Sequence, residues 1–264
     1  MKTALGHGKT PLSITECGGT GAPLLLVHGA GADRSRWAQV IPLLTTAFSV
    51  FTLDRRGRGV SGDEQDYQLA WEAQDLAAAL ATLPGKAHLV AHSYGAICAI
   101  EAALLSDGLL SLVLYEPPIQ TRDGPQQPAG DAVERYRARL AAGDRDYVVR
   151  AFLHEVAGMP ESEVEKLSAS DGWASRLEVA PTIPREMAAE HEYRLSKESL
   201  SKLKVPTLML VGGESPAFIR HGCSAVQESI SGAQLVVLAG QGHAAMHTAP
   251  ALFSDAVIAF CGSH

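Results

Sequence analysis

Long apolar runs are missing from this sequence. Stretches such as Leu24-Leu25-Leu26-Val27 are short, far below the roughly 20 apolar residues that a membrane-spanning helix requires. The cysteines are few and scattered, at Cys17, Cys98, Cys223 and Cys261. No pair has the close spacing of a zinc site or a redox CxxC motif, and this usage points to a reducing compartment. Basic residues are in the minority, with 22 Lys and Arg against 29 Asp and Glu and a formal charge of −7. Without a Lys/Arg run, that balance argues against a nucleic-acid partner. The first residues, Met1 to Gly8, contain no apolar core of a secretory signal, so a cytoplasmic location is expected. There is no repeat, no P-loop, no GxGxxG after the first strong strand and no HExxH. No cofactor and no metal are therefore expected.

What is present is a globular composition. Over 264 residues, 46% are hydrophobic and 19% charged, which excludes disorder as the main state. A chain of this length removes about 75% of its unfolded surface from water, so it needs neither disulfides nor metal to hold a core. Short aliphatic runs alternate with stretches of helical period, the pattern of a mostly parallel sheet covered by helices. Strands are expected at Pro23–His28, Phe48–Asp54, Ala87–His92, Leu109–Glu116, Thr207–Gly212 and Gln234–Ala239. Helices are expected at Ser35–Leu44, Leu69–Leu83, Tyr94–Leu105, Ala217–Ile230 and Ala249–Phe260. The alternation stops between Pro117 and Val205, where the chain turns charged and helical after a Pro/Gly stretch from Thr121 to Gly130. We read residues 119–203 as a helical insertion, a cap, over a core made of residues 1–118 and 204–264.

Three positions carry chemistry. Ala91-His92-Ser93-Tyr94-Gly95 follows a strand and opens a helix, the context in which a tight turn lifts a serine hydroxyl above a sheet edge as a nucleophile. Small residues at Ala91 and Gly95 let neighbouring backbones pass close to such a turn. The plainer reading is that Ser93 caps the helix. His28-Gly29-Ala30-Gly31 closes the first apolar strand, and its backbone at Ala30 could join the N–H of Tyr94 as an oxyanion hole. His28 itself reads as structural. Gly240-Gln241-Gly242-His243 places a histidine on a short loop after the last strand. His247 is its nearest rival, while the side chain of His92 must point away from Ser93.

With Asp54-Arg55-Arg56-Gly57-Arg58-Gly59-Val60-Ser61-Gly62, these segments resemble the α/β-hydrolase fold superfamily, in its serine-hydrolase branch with a helical cap. The resemblance implies an eight-stranded, mostly parallel sheet flanked by helices and a triad in the order Ser, acid, His. The Arg-rich turn is structural in that family. The commonest acid position falls after the strand Leu208–Gly212, but a serine, Ser215, stands there and Glu214 lies one position early. Haloalkane dehalogenases and fungal zearalenone lactonases imply the preceding strand end instead, hence Glu116. Glu116 follows an apolar run, so its carboxylate needs a donor such as an imidazole. Both acids stay open here, Glu116 ahead of Glu214.

Serine as nucleophile implies acyl transfer and argues against the alkyl-ester chemistry of dehalogenases and epoxide hydrolases. The expected substrate is a small molecule, an uncharged and moderately hydrophobic ester or lactone. Rival readings are a non-hydrolytic enzyme of the same fold, such as a lyase or cofactor-free oxygenase, and a silent ligand-binding protein. Met159, Phe152, Trp173, Met187 and Tyr193 read as core of the insertion rather than as a cleft. His154 and His191 read as surface residues. Arg122, Arg135, Arg176 and Arg185 are available to bind a carboxylate, but no motif singles one out.

Overall fold

The computed structural model describes residues 1–125, 130–170 and 172–264. Part of the expected Thr121–Gly130 loop therefore lies outside the described residues. Eight strands form one sheet: β1 Lys2–Leu5, β2 Pro11–Gly18, β3 Pro23–Val27, β4 Ser49–Asp54, β5 Ala87–His92, β6 Leu109–Tyr115, β7 Thr207–Gly212 and β8 Gln234–Leu238. Their spatial order is β1-β2-β4-β3-β5-β6-β7-β8. β1 and β2 are antiparallel additions at one edge, and all pairs from β4 to β8 are parallel.

A central parallel strand is covered on both faces, so it reads as unbroken apolar sequence rather than as alternation. β3 shows this, with all five residues buried. Its side chains nevertheless divide by the two-residue period of a strand. Leu25 and Val27 join one apolar cluster with Leu76, Leu80 and Ile97 of the helices Leu69–Ala81 and Tyr94–Leu105. Leu24 and Leu26 join the other, with Trp37 and with Phe253 and Val257 of the helix Pro250–Cys261. Truncating one such Leu to Ala costs about 2–5 kcal/mol.

Two expectations are corrected. The structure has two strands, β1 and β2, where none is expected, and the expected helix Ser35–Leu44 is two pieces, a 3-10 turn at Arg34–Trp37 and a single α-turn at Ile41–Leu44. Pro42 sits in the first turn of the second piece, where its missing N–H is harmless, whereas in the middle of a continuous helix it would break the ladder.

Between β6 and β7 the described residues form helices only, among them Ala132–Ala141, Trp173–Val179 and Ile183–Glu192. They build their own apolar cluster around Tyr136, Val149, Phe152, Trp173 and Met187. A buried ionic network ties this layer to the sheet. Arg55, after β4, bonds Glu72 at 2.7 Å and Glu186 at 2.9 Å, and Arg58 pairs with the same Glu186. Arg56 bonds Asp75 at 2.7 Å. The Arg-rich turn thus serves as a structural hub.

Candidate active site

β5 ends at His92, and Ser93 turns the chain into the helix Tyr94–Leu105 with φ 55° and ψ −130°. That conformation is costly for a non-glycine residue, about 1–3 kcal/mol. The Ser93 side chain makes no capping hydrogen bond to the helix, so the plainer reading fails. Two glycines permit the close packing around it. A Cβ on Gly95 would run into the His28 carbonyl oxygen, and one on Gly29 would lie 2.8 Å from Ser93 Cβ. The loop after β3 therefore crosses directly beside the serine. Among the described residues, no acceptor takes the backbone N–H of Ala30 or of Tyr94.

Glu116, the residue after β6, is fully buried and also has positive φ, 50°. Its carboxylate is surrounded by donors. Gly212 N–H donates to Oε1 at 2.6 Å, Ser215 O–H to the same oxygen at 2.5 Å, and His243 Nδ1–H to Oε2 at 2.6 Å. With Nδ1–H committed to Glu116, His243 keeps its Nε2 lone pair free to accept. Glu214 is exposed, and its backbone N–H donates to the Gln241 carbonyl at 2.9 Å. The structure thus brings His243 to Glu116 and not to Glu214.

The loop bearing His243 is gripped from two sides by residues that sequence reasoning did not assign. The Tyr115 hydroxyl donates to the Gly242 carbonyl and accepts from the Ala245 N–H at 3.0 Å. His92 Nε2–H donates to the His243 carbonyl at 2.8 Å, and the two rings lie 4.5 Å apart. Burial and the neighbouring His243 hold His92 well below the usual imidazole range, so it stays neutral. Backbone-directed contacts of this kind leave no motif. His28 is buried, with Nδ1–H donating to Gly29 O at 2.9 Å, and its imidazole is pushed well down by burial and by Arg55.

Ser93 and His243 line one cavity of about 340 Å³, together with Ala30, Phe152, Glu190 and Ser215. No hydrogen bond joins Ser93 to His243 among the described residues. Trp173, Met187 and Met159 pack in the helical layer, and Tyr193 donates to Glu101 at 2.7 Å, so of the five only Phe152 reaches the cavity. Burial and the charge of Glu186 raise the Glu190 carboxyl to about 8. Burial, then Arg36 and Arg176, lower His247 to about 4. His154 is exposed and donates Nδ1–H to the Met159 carbonyl at 2.9 Å, and His191 is half-buried. Arg135 and Arg185 are paired with Glu155 and Asp63, while Arg122 is exposed.

A strand–serine–helix turn with positive φ, a His–carboxylate pair and an eight-stranded sheet of this order fit a hydrolase fold. The chain belongs to the alpha/beta hydrolase family, which residues 24–256 match. It is similar to the pimeloyl-[acyl-carrier protein] methyl ester esterase of Aeromonas hydrophila, at 27% identity over 92% of this chain and 97% of the esterase. It is similar also to the N-formylmaleamate deformylase of Pseudomonas putida, at 29% identity over 86% of this chain and 83% of that protein. An alpha/beta hydrolase from Sphaerobacter thermophilus superimposes with a TM-score of 0.85 and 32% identity, covering 98% of this chain and 99% of its own.

Proposed function

We propose that the protein is a serine hydrolase of small to medium, moderately hydrophobic carboxylic esters or lactones, acting in the cytoplasm through an acyl-enzyme on Ser93. The observation that carries this reading is the 2.6 Å bond from His243 Nδ1 to the buried Glu116, in a cavity that Ser93 shares. Similarity to a methyl ester esterase and a deformylase supports the same reaction class. Residues 119–203 act as the cap of this site, over a core of residues 1–118 and 204–264.

The steps follow from those positions. Ser93 Oγ attacks the carbonyl carbon as His243 Nε2 takes the hydroxyl proton, while the N–H groups of Ala30 and Tyr94 hold the developing oxyanion. The bond to the leaving oxygen then breaks, and that oxygen leaves with the proton from Nε2. Water attacks the acyl-enzyme by the same route and gives its proton to Nε2, which returns it to Ser93 as the acid departs. Glu116 fixes the ring and offsets the imidazolium charge.

Labelling with a fluorophosphonate and a 4-nitrophenyl acetate burst test this reading. Ser93→Ala is expected to abolish both, and Glu116→Gln to lower turnover by about 10³- to 10⁴-fold. Labelling that survives Ser93→Ala would remove the nucleophile. A large loss in Glu214→Gln, with none in Glu116→Gln, would move the acid.

A further inference from the structure

Two guanidinium groups line the active-site cavity without an ion pair among the described residues. Arg36 lies on the 3-10 turn after the Ala30 loop, and Arg176 on the helix Trp173–Val179 of the layer above. Both line the cavity that holds Ser93 and His243, and both line a narrower recess of about 120 Å³ beside it. Among the described residues neither makes an ion pair, and Arg36 Nε is buried with no acceptor. Their neighbours are otherwise. Arg34 is paired with Asp54 and Arg150 with Asp146. Asp33 lines the recess with them and its charge acts on Arg176, but it forms no ion pair there, and its carboxylate accepts from the Ser35 N–H at 2.8 Å.

Both arginines are half-buried, and two like charges set together are costly, which shows in what they do to each other. Burial and the charge of Arg176 bring Arg36 down to about 10, and burial lowers Arg176 below the usual range. Arg36 remains cationic at neutral pH. His247, beside them, has a buried Nε2 with no partner. Two acids line the same cavity. Burial and Glu186 raise the Glu190 carboxyl to about 8, and Glu214 is exposed. Neither places a buried negative charge against the arginines. The whole chain carries −7, so this positive corner is local and runs against the net charge. A planar guanidinium fork matches a carboxylate in two hydrogen bonds.

We propose that Arg36 and Arg176 form a carboxylate subsite, so that the substrates are short esters or lactones bearing a free carboxylate, instead of wholly uncharged ones. This rests on the serine-hydrolase reading for the scissile bond, but the anion site stands on its own residues.

The test pairs mono-4-nitrophenyl glutarate with uncharged 4-nitrophenyl pentanoate on the wild-type protein. We expect kcat/KM to favour the glutarate by about tenfold or more, chiefly through KM, the scale of a hydrogen bond to a charged group. Arg176→Gln and Arg36→Gln should each shrink that ratio, and Arg176→Lys should restore part of it. Calorimetry of the wild-type protein should show binding of glutarate and none of glutaramide. A wild-type ratio near one, with no glutarate binding, would overturn the subsite. Inorganic phosphate binding as tightly as glutarate would overturn the carboxylate assignment. Should both esters go unhydrolysed and Ser93 unlabelled, the hydrolase reading fails, and the glutarate titration alone still decides the anion site.

Discussion

The Ser215 hydroxyl donates to Glu116 Oε1 across the ends of β6 and β7, at 2.5 Å. The serine therefore occupies the ground where an aspartate after β7 would stand, and supports a carboxylate supplied by the neighbouring strand. Ser215→Ala removes one of three donors to a buried carboxylate. The loss of a hydrogen bond to a charged group amounts to about 1.5–3 kcal/mol. We expect kcat for 4-nitrophenyl acetate to fall by about tenfold or more. Ser215→Asp alone sets two carboxylates against each other and should lower stability. Combined with Glu116→Gln, it moves the acid by one strand. That double variant should recover at least about tenfold of the activity lost in Glu116→Gln alone. Equal activities would show that the loop after β7 cannot present an acid to His243.

A second prediction concerns pH. The Glu190 carboxyl is raised from 4.5 to about 8 by burial and by Glu186. Between those values the native chain keeps a proton that the unfolded chain has released. Stability from this group is therefore fully present below the lower value and declines as pH rises through the window, by at most about 1.4 kcal/mol per unit. Glu190→Gln keeps the shape and deletes the titration. Urea midpoints measured from about pH 5 to about pH 8 should fall less steeply in the variant than in the parent. Identical slopes would assign the decline to other groups.

The core was legible wherever one physical demand dominated. A central strand buried on both faces must be continuously apolar, and the strands Ala87–His92 and Thr207–Gly212 and the helix Tyr94–Leu105 have the expected bounds. The antiparallel strands at the edge were not legible, because β1 and β2 mix Thr3, Ser13 and Thr15 with apolar residues and sit ahead of the α/β alternation. Ser93 and His243 stand out as candidates because each follows a strand in a short turn, whereas Glu116 as a candidate comes from the family resemblance and from the apolar run before it. Tyr115, His92 and Ser215 act on backbone carbonyls or on a carboxylate far along the chain. Arg36 reads as one more polar residue of a supposed helix. The fold brings it to the same cavity as Arg176, 140 positions away in the numbering of the chain.

The third prediction tests how the upper helices are held. Glu186 accepts from Arg55 at 2.9 Å and pairs with Arg58, both fully buried. It comes from the helix Ile183–Glu192, whereas both arginines follow β4. Glu186→Gln leaves two buried guanidinium groups sharing Glu72. Removing one partner of a buried ionic cluster costs about 3–5 kcal/mol, since the remaining charge is uncompensated. The urea midpoint should drop accordingly while the slope m holds, as it does when stability changes without a change in the surface exposed. The same substitution deletes the charge that helps to raise Glu190, so the pH-dependent decline should shrink as well. A variant as stable as the parent would mean that Arg55 and Arg58 find other acceptors, and that apolar packing around Tyr136 and Met187 alone keeps this layer over Ser93.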